Sequence, residues 1–171
     1  MAPQRRKRKG DGAAVPGNPL ELAIGMLARR PLSEGEVALR LMQKGQAESD
    51  IPPVLARLRE LRLIDDPALC RQLVRSYREG RMYGPAKIAW KLAARGFPRP
   101  LVEESLREEC PPEGVADAAA RALGKKYRGG IPAGREGAAK AYRFLAGRGF
   151  PPDACRKAIG RRMAEHPEGD E

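Results

Sequence analysis

Histidine is almost absent from this chain: a single His166 stands near the carboxyl end, in an acidic stretch. No Ser/His or Cys/His nucleophile pair can therefore be placed in a folded core. Cysteine is scarce as well. Cys70, Cys110 and Cys155 form no CxxC or Cys/His ligand cluster, and an odd number is a poor disulfide framework. They read as reduced, buried or half-buried thiols of a cytoplasmic protein, with no metal or other cofactor expected. No apolar run approaches the ~18 residues a membrane span needs. The basic run Arg5–Lys9 is followed by no apolar segment of a secretory signal. A phosphate-binding loop is missing too, because Gly80–Gly84 is too short and lacks the GK[ST] ending. Neighbouring acids such as Glu103 and Glu104 fall on a polar helix face and read as solvated. These absences point away from an enzyme. An unrecognised catalytic site is the alternative that turnover of a nucleotide or nucleic acid would revive.

Positive charge is what the chain has in excess. Its 171 residues carry a net +11, with a pI of about 10.1. Such a balance implies a polyanionic partner, most often nucleic acid; a soluble basic protein without one is the alternative. The charge is uneven: net +4 over residues 1–18, 0 over 19–65, +3 over 66–110, +8 over 111–163 and −4 over 164–171. Hydrophobic residues reach 42% and aromatic ones only 5%. Ala, Leu, Arg and Glu dominate over β-branched types, which favours an all-α fold.

Punctuation divides the chain into helices. Residues 1–18 form a basic tail with a disorder-type composition, and its RRKRK run is either a phosphate-touching arm or a solvated tail. Asn18-Pro19 opens the first helix, with Leu22, Ala23, Met26 and Leu27 on one stripe. Ser33-Glu34-Gly35-Glu36 is a capping box for the second, which buries Val37, Ala38 and Leu41. The third starts near Ile51-Pro52-Pro53. Asp65-Asp66-Pro67 opens the fourth, burying Leu69, Leu73 and Tyr77, and Gly84-Pro85 opens the fifth, burying Ile88, Ala89 and Leu92. Leu101, Val102 and Leu106 mark the sixth. Residues 115–127 form an Ala-rich seventh, an eighth carries Ala141, Tyr142 and Leu145, and a ninth carries Cys155 and Ile159. An acidic tail covers 164–171.

These helices repeat. With Gly45, Gly96 and Gly149 in register, Leu41, Leu92 and Leu145 stand four residues before, and Lys44, Arg95 and Arg148 one before. Ile51, Val102 and Cys155 stand six after. The pattern predicts three tandem three-helix repeats, over 19–65, 66–110 and 111–163, stacked into an elongated curved array. Each unit is poor in apolar residues, so stacking of neighbours is expected to stabilise it.

The binding candidates are cations at helical spacing or in clusters. They are Arg71, Arg75 and Arg78 on helix four and Arg81 in the loop beyond. Lys87, Lys91 and Arg95 follow on helix five, and Lys125, Lys126 and Arg128 at the end of helix seven. Lys140, Arg143 and Arg148 lie on helix eight, and Arg156, Lys157 and Arg161 on helix nine. So arranged, they can neutralise phosphates or meet an acidic protein surface; each stripe alone also fits a solvated face. Trp90 either stacks on a base or, the favoured reading, packs on a neighbouring repeat.

The stretch Leu63-Ile64-Asp65-Asp66, then Tyr83-Gly84-Pro85-Ala86-Lys87-Ile88, Leu92 and Arg95-Gly96-Phe97, resembles the RecX family. Ser33–Gly45 and Lys125-Lys126-Tyr127 with Tyr142–Leu145 and Arg148-Gly149-Phe150 fit the same pattern, so about residues 20–163 are covered. The proline pairs Pro52-Pro53 and Pro151-Pro152, with Gly134 and Gly137, depart from it. The resemblance implies tandem three-helix repeats and a cytoplasmic bacterial regulator of recombination, DNA repair and the SOS response. The expected partner is the RecA–DNA filament, with single- or double-stranded DNA, contacted by a monomer in the filament groove or at its growing end. Filament extension, ATP hydrolysis, strand exchange and coprotease activity would fall. The family offers no catalytic residues to carry over. The alternative is a general DNA-binding helical-repeat protein that does not act on RecA.

Overall fold

The computed structural model describes residues 17–165, so the expectations for residues 1–16 and for 166–171, His166 included, lie outside it. Helix starts are built locally. Asn18 accepts the Leu20 N–H at 3.0 Å ahead of α1 (Pro19–Leu27). Ser33 Oγ accepts the Glu36 N–H at 3.0 Å while Glu36 accepts the Ser33 N–H at 3.2 Å, and this reciprocal cap starts α2 (Glu34–Gln43). A 3-10 turn at Glu48–Asp50 leads into α3 (Ile51–Glu60). Asp65 accepts the Ala68 N–H at 2.9 Å to cap α4 (Asp66–Glu79), and Gly84 precedes α5 (Pro85–Ala93). Then follow α6 (Arg99–Glu109), α7 (Pro112–Lys126), α8 (Gly134–Gly147) and α9 (Pro152–Glu165). Nine helices and no strand are present among the described residues.

The registered glycines end the second helix of each unit. Gly45, Gly96 and Gly149 have φ of 83°, 78° and 82°, the left-handed region in which a side chain is strained. The next N–H turns back five residues: Gln46 to the Leu41 carbonyl, Phe97 to Leu92 and Phe150 to Leu145. Gln46, Phe97 and Phe150 are buried at these equivalent places.

Each unit holds its own core, which corrects the expectation that stacking would supply it. Ala23, Val37, Leu41, Ile51 and Leu58 form the first; Cys70, Val74, Ile88, Leu92, Phe97 and Val102 the second. Val115, Ala119, Leu123, Ala141, Leu145, Cys155 and Ile159 form the third. A fully buried leucine such as Leu92 contributes about 1.5–3 kcal/mol. On α4 the stripe centres on Cys70 and Val74, leaving Leu69, Leu73 and Tyr77 half-buried at its edge. The three cysteines are free thiols, and burial pushes each above its ordinary pKa.

The units meet through backbone and charge. The amino end of α2 abuts the carboxyl end of α5: Ser33 Oγ donates to the Arg95 carbonyl, and Gly35 lies flat on Gly96. Arg95 closes this joint, reaching Glu36 Oε2 at 2.8 Å and the Pro31 carbonyl at 3.2 Å. The amino end of α5 abuts the carboxyl end of α8 in the same way. Gly84 N donates to the Arg148 carbonyl at 2.7 Å and Ala86 N to Gly149 at 3.2 Å. At the second joint amino-end N–H groups and carboxyl-end carbonyls, orphans in an isolated helix, thus satisfy one another across units; at the first the Ser33 hydroxyl is the donor.

Candidate nucleic-acid interface

The predicted cations separate into engaged and unengaged sets. Those of α4 face acids of α6: Arg71 lies 4.0 Å from Glu108, Arg75 3.5 Å from Glu109, and half-buried Arg78 donates to the Glu109 carbonyl. Arg95 is a joint residue. Burial alone would lower its pKa, but the Glu36 carboxylate outweighs that and raises it. Burial likewise pushes Glu36 up, and its bonds from Arg30, Arg95 and the Ser33 N–H more than reverse this, leaving its pKa below the ordinary value. Lys140 pairs with Glu136 at 2.8 Å, Arg156 with Asp153, and Arg161 with Asp117 at 2.5 Å. Lys87 donates to the Gly147 carbonyl at 3.2 Å across the second joint, and Lys91 sits 5.1 Å from the Trp90 ring. Arg128, Arg143 and Lys157 are exposed.

Four candidates converge where units two and three meet. Arg81, Lys125, Lys126 and Arg148 line a cleft of about 500 Å³ with Tyr83 and Phe144, and among the described residues no acid is on its lining. One wall is the α4–α5 loop. Met82 in that loop has φ 53°, a conformation few side chains adopt, and packs against the core of unit three. The other wall is the last turn of α7, where Lys125 and Lys126 complement the helix dipole. Phe144 of α8 is clamped between two cations. Lys126 Nζ lies 4.3 Å and the Arg148 guanidinium 4.4 Å from its centroid, and Tyr127 meets it edge-on at 6.3 Å. Arg148 Nε is buried with no partner among the described residues. No acid of the described residues forms an ion pair with any of the four.

Such a cleft attracts anions. Its cations repel one another when it is empty, and a polyanion relieves that repulsion while releasing its own counterions. The aromatic faces give bases a place to stack. Tyr83 and Phe144 are the site residues that helical-wheel reasoning missed. A signal existed: in the register set by the glycines, Phe144 stands where Lys91 stands in unit two.

Trp90 corrects an expectation. It does not pack on a neighbouring repeat; it is 63% exposed, beside Ala93, Phe97 and Arg99 of its own unit. The neighbouring units dock through the ends of α5, so its flank stays open.

Comparison with known proteins bears on the whole arrangement. Models of the first, second and third three-helix domains of RecX match residues 20–58, 65–106 and 116–159. A protein named regulatory protein RecX from Pseudomonas putida is 33% identical over 140 residues, 82% of this chain and 88% of the relative. Its namesake from Thermus thermophilus is 38% identical over 133 residues, 77% and 83% of the two chains. The crystal structure of RecX from Lactobacillus salivarius superposes with a TM-score of 0.72 over 85% of this chain and 95% of that one, at 21% identity. A second RecX crystal structure gives 0.70 over 83% and 71%, at 23%. At those identities the structural matches establish the fold.

Proposed function

The chain belongs to the RecX family of regulatory proteins, and from that premise we propose that it binds the RecA–DNA filament and restrains it without catalysis of its own. Binding would block filament extension and lower ATP hydrolysis, strand exchange and coprotease activity. The observation that carries the DNA half of this reading is the cleft of Arg81, Lys125, Lys126 and Arg148 around Phe144, lined by no acid of the described residues. A phosphate run passing between units two and three would meet all four cations, and the two units would have to stay docked to present them. The engaged cations of α4 and α9 serve a lesser part, because each must first leave an acid.

The test is RecA ATPase on single-stranded DNA with this chain added below RecA stoichiometry. Inhibition with shortened filaments is expected, and unchanged ATPase and filament length refute the reading. The triple variant R81E/K125E/K126E should inhibit far less. On bare single-stranded DNA it should also lower the salt slope of log K by about 2, at ~0.7 for each phosphate that is no longer neutralised. A second reading, DNA binding without action on RecA, is favoured by the same cleft. It predicts equal effects on unrelated DNA-dependent ATPases.

A further inference from the structure

Two of the three second helices end in a filled joint, and the third ends in an open one. The carboxyl ends of α5 and α8 each receive the amino end of another helix, and glycine lets the backbones touch. A Cβ on Gly35 would lie 2.6 Å from the Gly96 oxygen, and one on Gly84 would strike the Gly149 carbonyl. The carboxyl end of α2 has the same geometry. Gly45 has φ 83° against 78° at Gly96 and 82° at Gly149, and its preceding residue is again a cation, Lys44. Yet among the described residues nothing lies within 4 Å of a Cβ built on Gly45, and neither an N–H nor a hydroxyl reaches the Lys44 or Gly45 carbonyl. Beside this end runs a cleft of about 530 Å³ lined by Met26, Arg29, Arg40 and Lys44, among others. None of these three cations forms an ion pair among the described residues.

We infer that the carboxyl end of α2 is a docking face for the acidic amino end of a helix on a partner protein, which on the reading above is a RecA protomer. The chemistry selects that occupant. Free helix carbonyls and the negative end of the dipole call for N–H donors, and the surrounding cations call for carboxylates. A helix amino end with Asp or Glu in its first turn offers both; at the filled end of α5, the Ser33 hydroxyl supplies the donor and Glu36 the carboxylate that meets Arg95. A phosphate backbone would satisfy the cations but bring more oxygens against the carbonyls. The preceding residues 1–16 carry five cations and one acid, the wrong sign for this face. The amino end of α8 is built differently from those of α2 and α5, which argues against a second copy as the occupant. A Cβ on Gly137, which the register aligns with Gly84, would strike the chain's own Pro132 carbonyl.

The test uses two variants of the full chain, K44E and G45N. Asparagine tolerates a left-handed φ, so G45N should fold while its side chain fills the space a partner backbone needs. Each should bind the RecA filament on single-stranded DNA at least tenfold more weakly than wild type, with unchanged binding to bare single-stranded DNA and unchanged melting. Wild-type filament binding by both variants overturns the inference. So does a wild-type dimer in sedimentation that G45N dissolves, which would assign the face to a second copy. If the wild type itself binds bare DNA but no filament, the RecA reading falls instead, and the two failures are told apart.

Discussion

Gly35→Ala isolates the joint between units one and two. Gly35 lies in the first turn of α2 with an ordinary φ, so by helix propensity alone alanine should stabilise the chain by about 0.5–1 kcal/mol. The joint reverses the sign. The new Cβ would stand 2.8 Å from Gly96 Cα, so the two backbones must part by roughly 0.7 Å to reach an ordinary ~3.5 Å carbon contact. Both sides are backbone and cannot swing aside. Overpacking of this kind costs about 1–3 kcal/mol, and parting also stretches the bond from Ser33 Oγ to the Arg95 carbonyl. A net loss of about 1–2 kcal/mol results, or a melting temperature lower by about 2–8 °C for a chain of this size. Gly124→Ala is the control. It is the same change inside α7 with nothing among the described residues within 4 Å of the new Cβ, and it should raise the melting temperature by about 1–4 °C. Calorimetry on both variants decides the matter. If G35A stabilises as much as G124A, the close approach at the joint is not what holds unit one against unit two.

Acid should loosen the same joint. The folded-state pKa of Glu36 lies below its ordinary value of 4.5, so its contribution is present above that value and is lost as pH falls through the folded pKa. Asp66 runs the other way, since burial raises its carboxyl. The pH dependence of melting in wild type minus that in Glu36→Gln is therefore the measurement, and the difference should shrink on acidification. Leu145→Ala empties a fully buried position in the third core and should cost about 2–5 kcal/mol in chemical denaturation. Loss should concentrate in unit three by hydrogen exchange, because each unit keeps its own apolar cluster.

The local grammar of the helices was legible and their partners were not. Ser33 with Glu36, and Asp65 before Pro67, announce helix starts because caps act within three residues. The glycine register marked the stops of the second helices because the left-handed residue there is Gly each time, whereas the left-handed Arg62 beyond α3 carried no such mark. Nothing local said that Gly35 and Gly84 would lie against those same stops, since the partners there are some 60 residues away in sequence. The cations show the same limit. A helical wheel assigns Arg71, Arg75 and Arg78 to one face of α4, but not that α6 brings Glu108 and Glu109 across from it. Lys125 and Lys126 were visible as a pair; the cleft they share with Arg81 and Arg148 exists only once two units dock. Trp90 misleads because a helical wheel pairs neighbours along helix flanks, whereas these units meet end to end.

Docking by helix ends also sets an order of events during synthesis. Ser33 must wait for the Arg95 carbonyl, 62 residues later, and Lys87 for Gly147, 60 residues later. At about 5–20 residues per second, that is a delay of roughly 3–12 s on the ribosome. Each unit can close its own core in the meantime, since its apolar partners are all at hand. The amino ends of α2, with its own capping box, and of α5, with none, are therefore made before their acceptors emerge. The chain assembles backwards, each finished unit being received by the next one made.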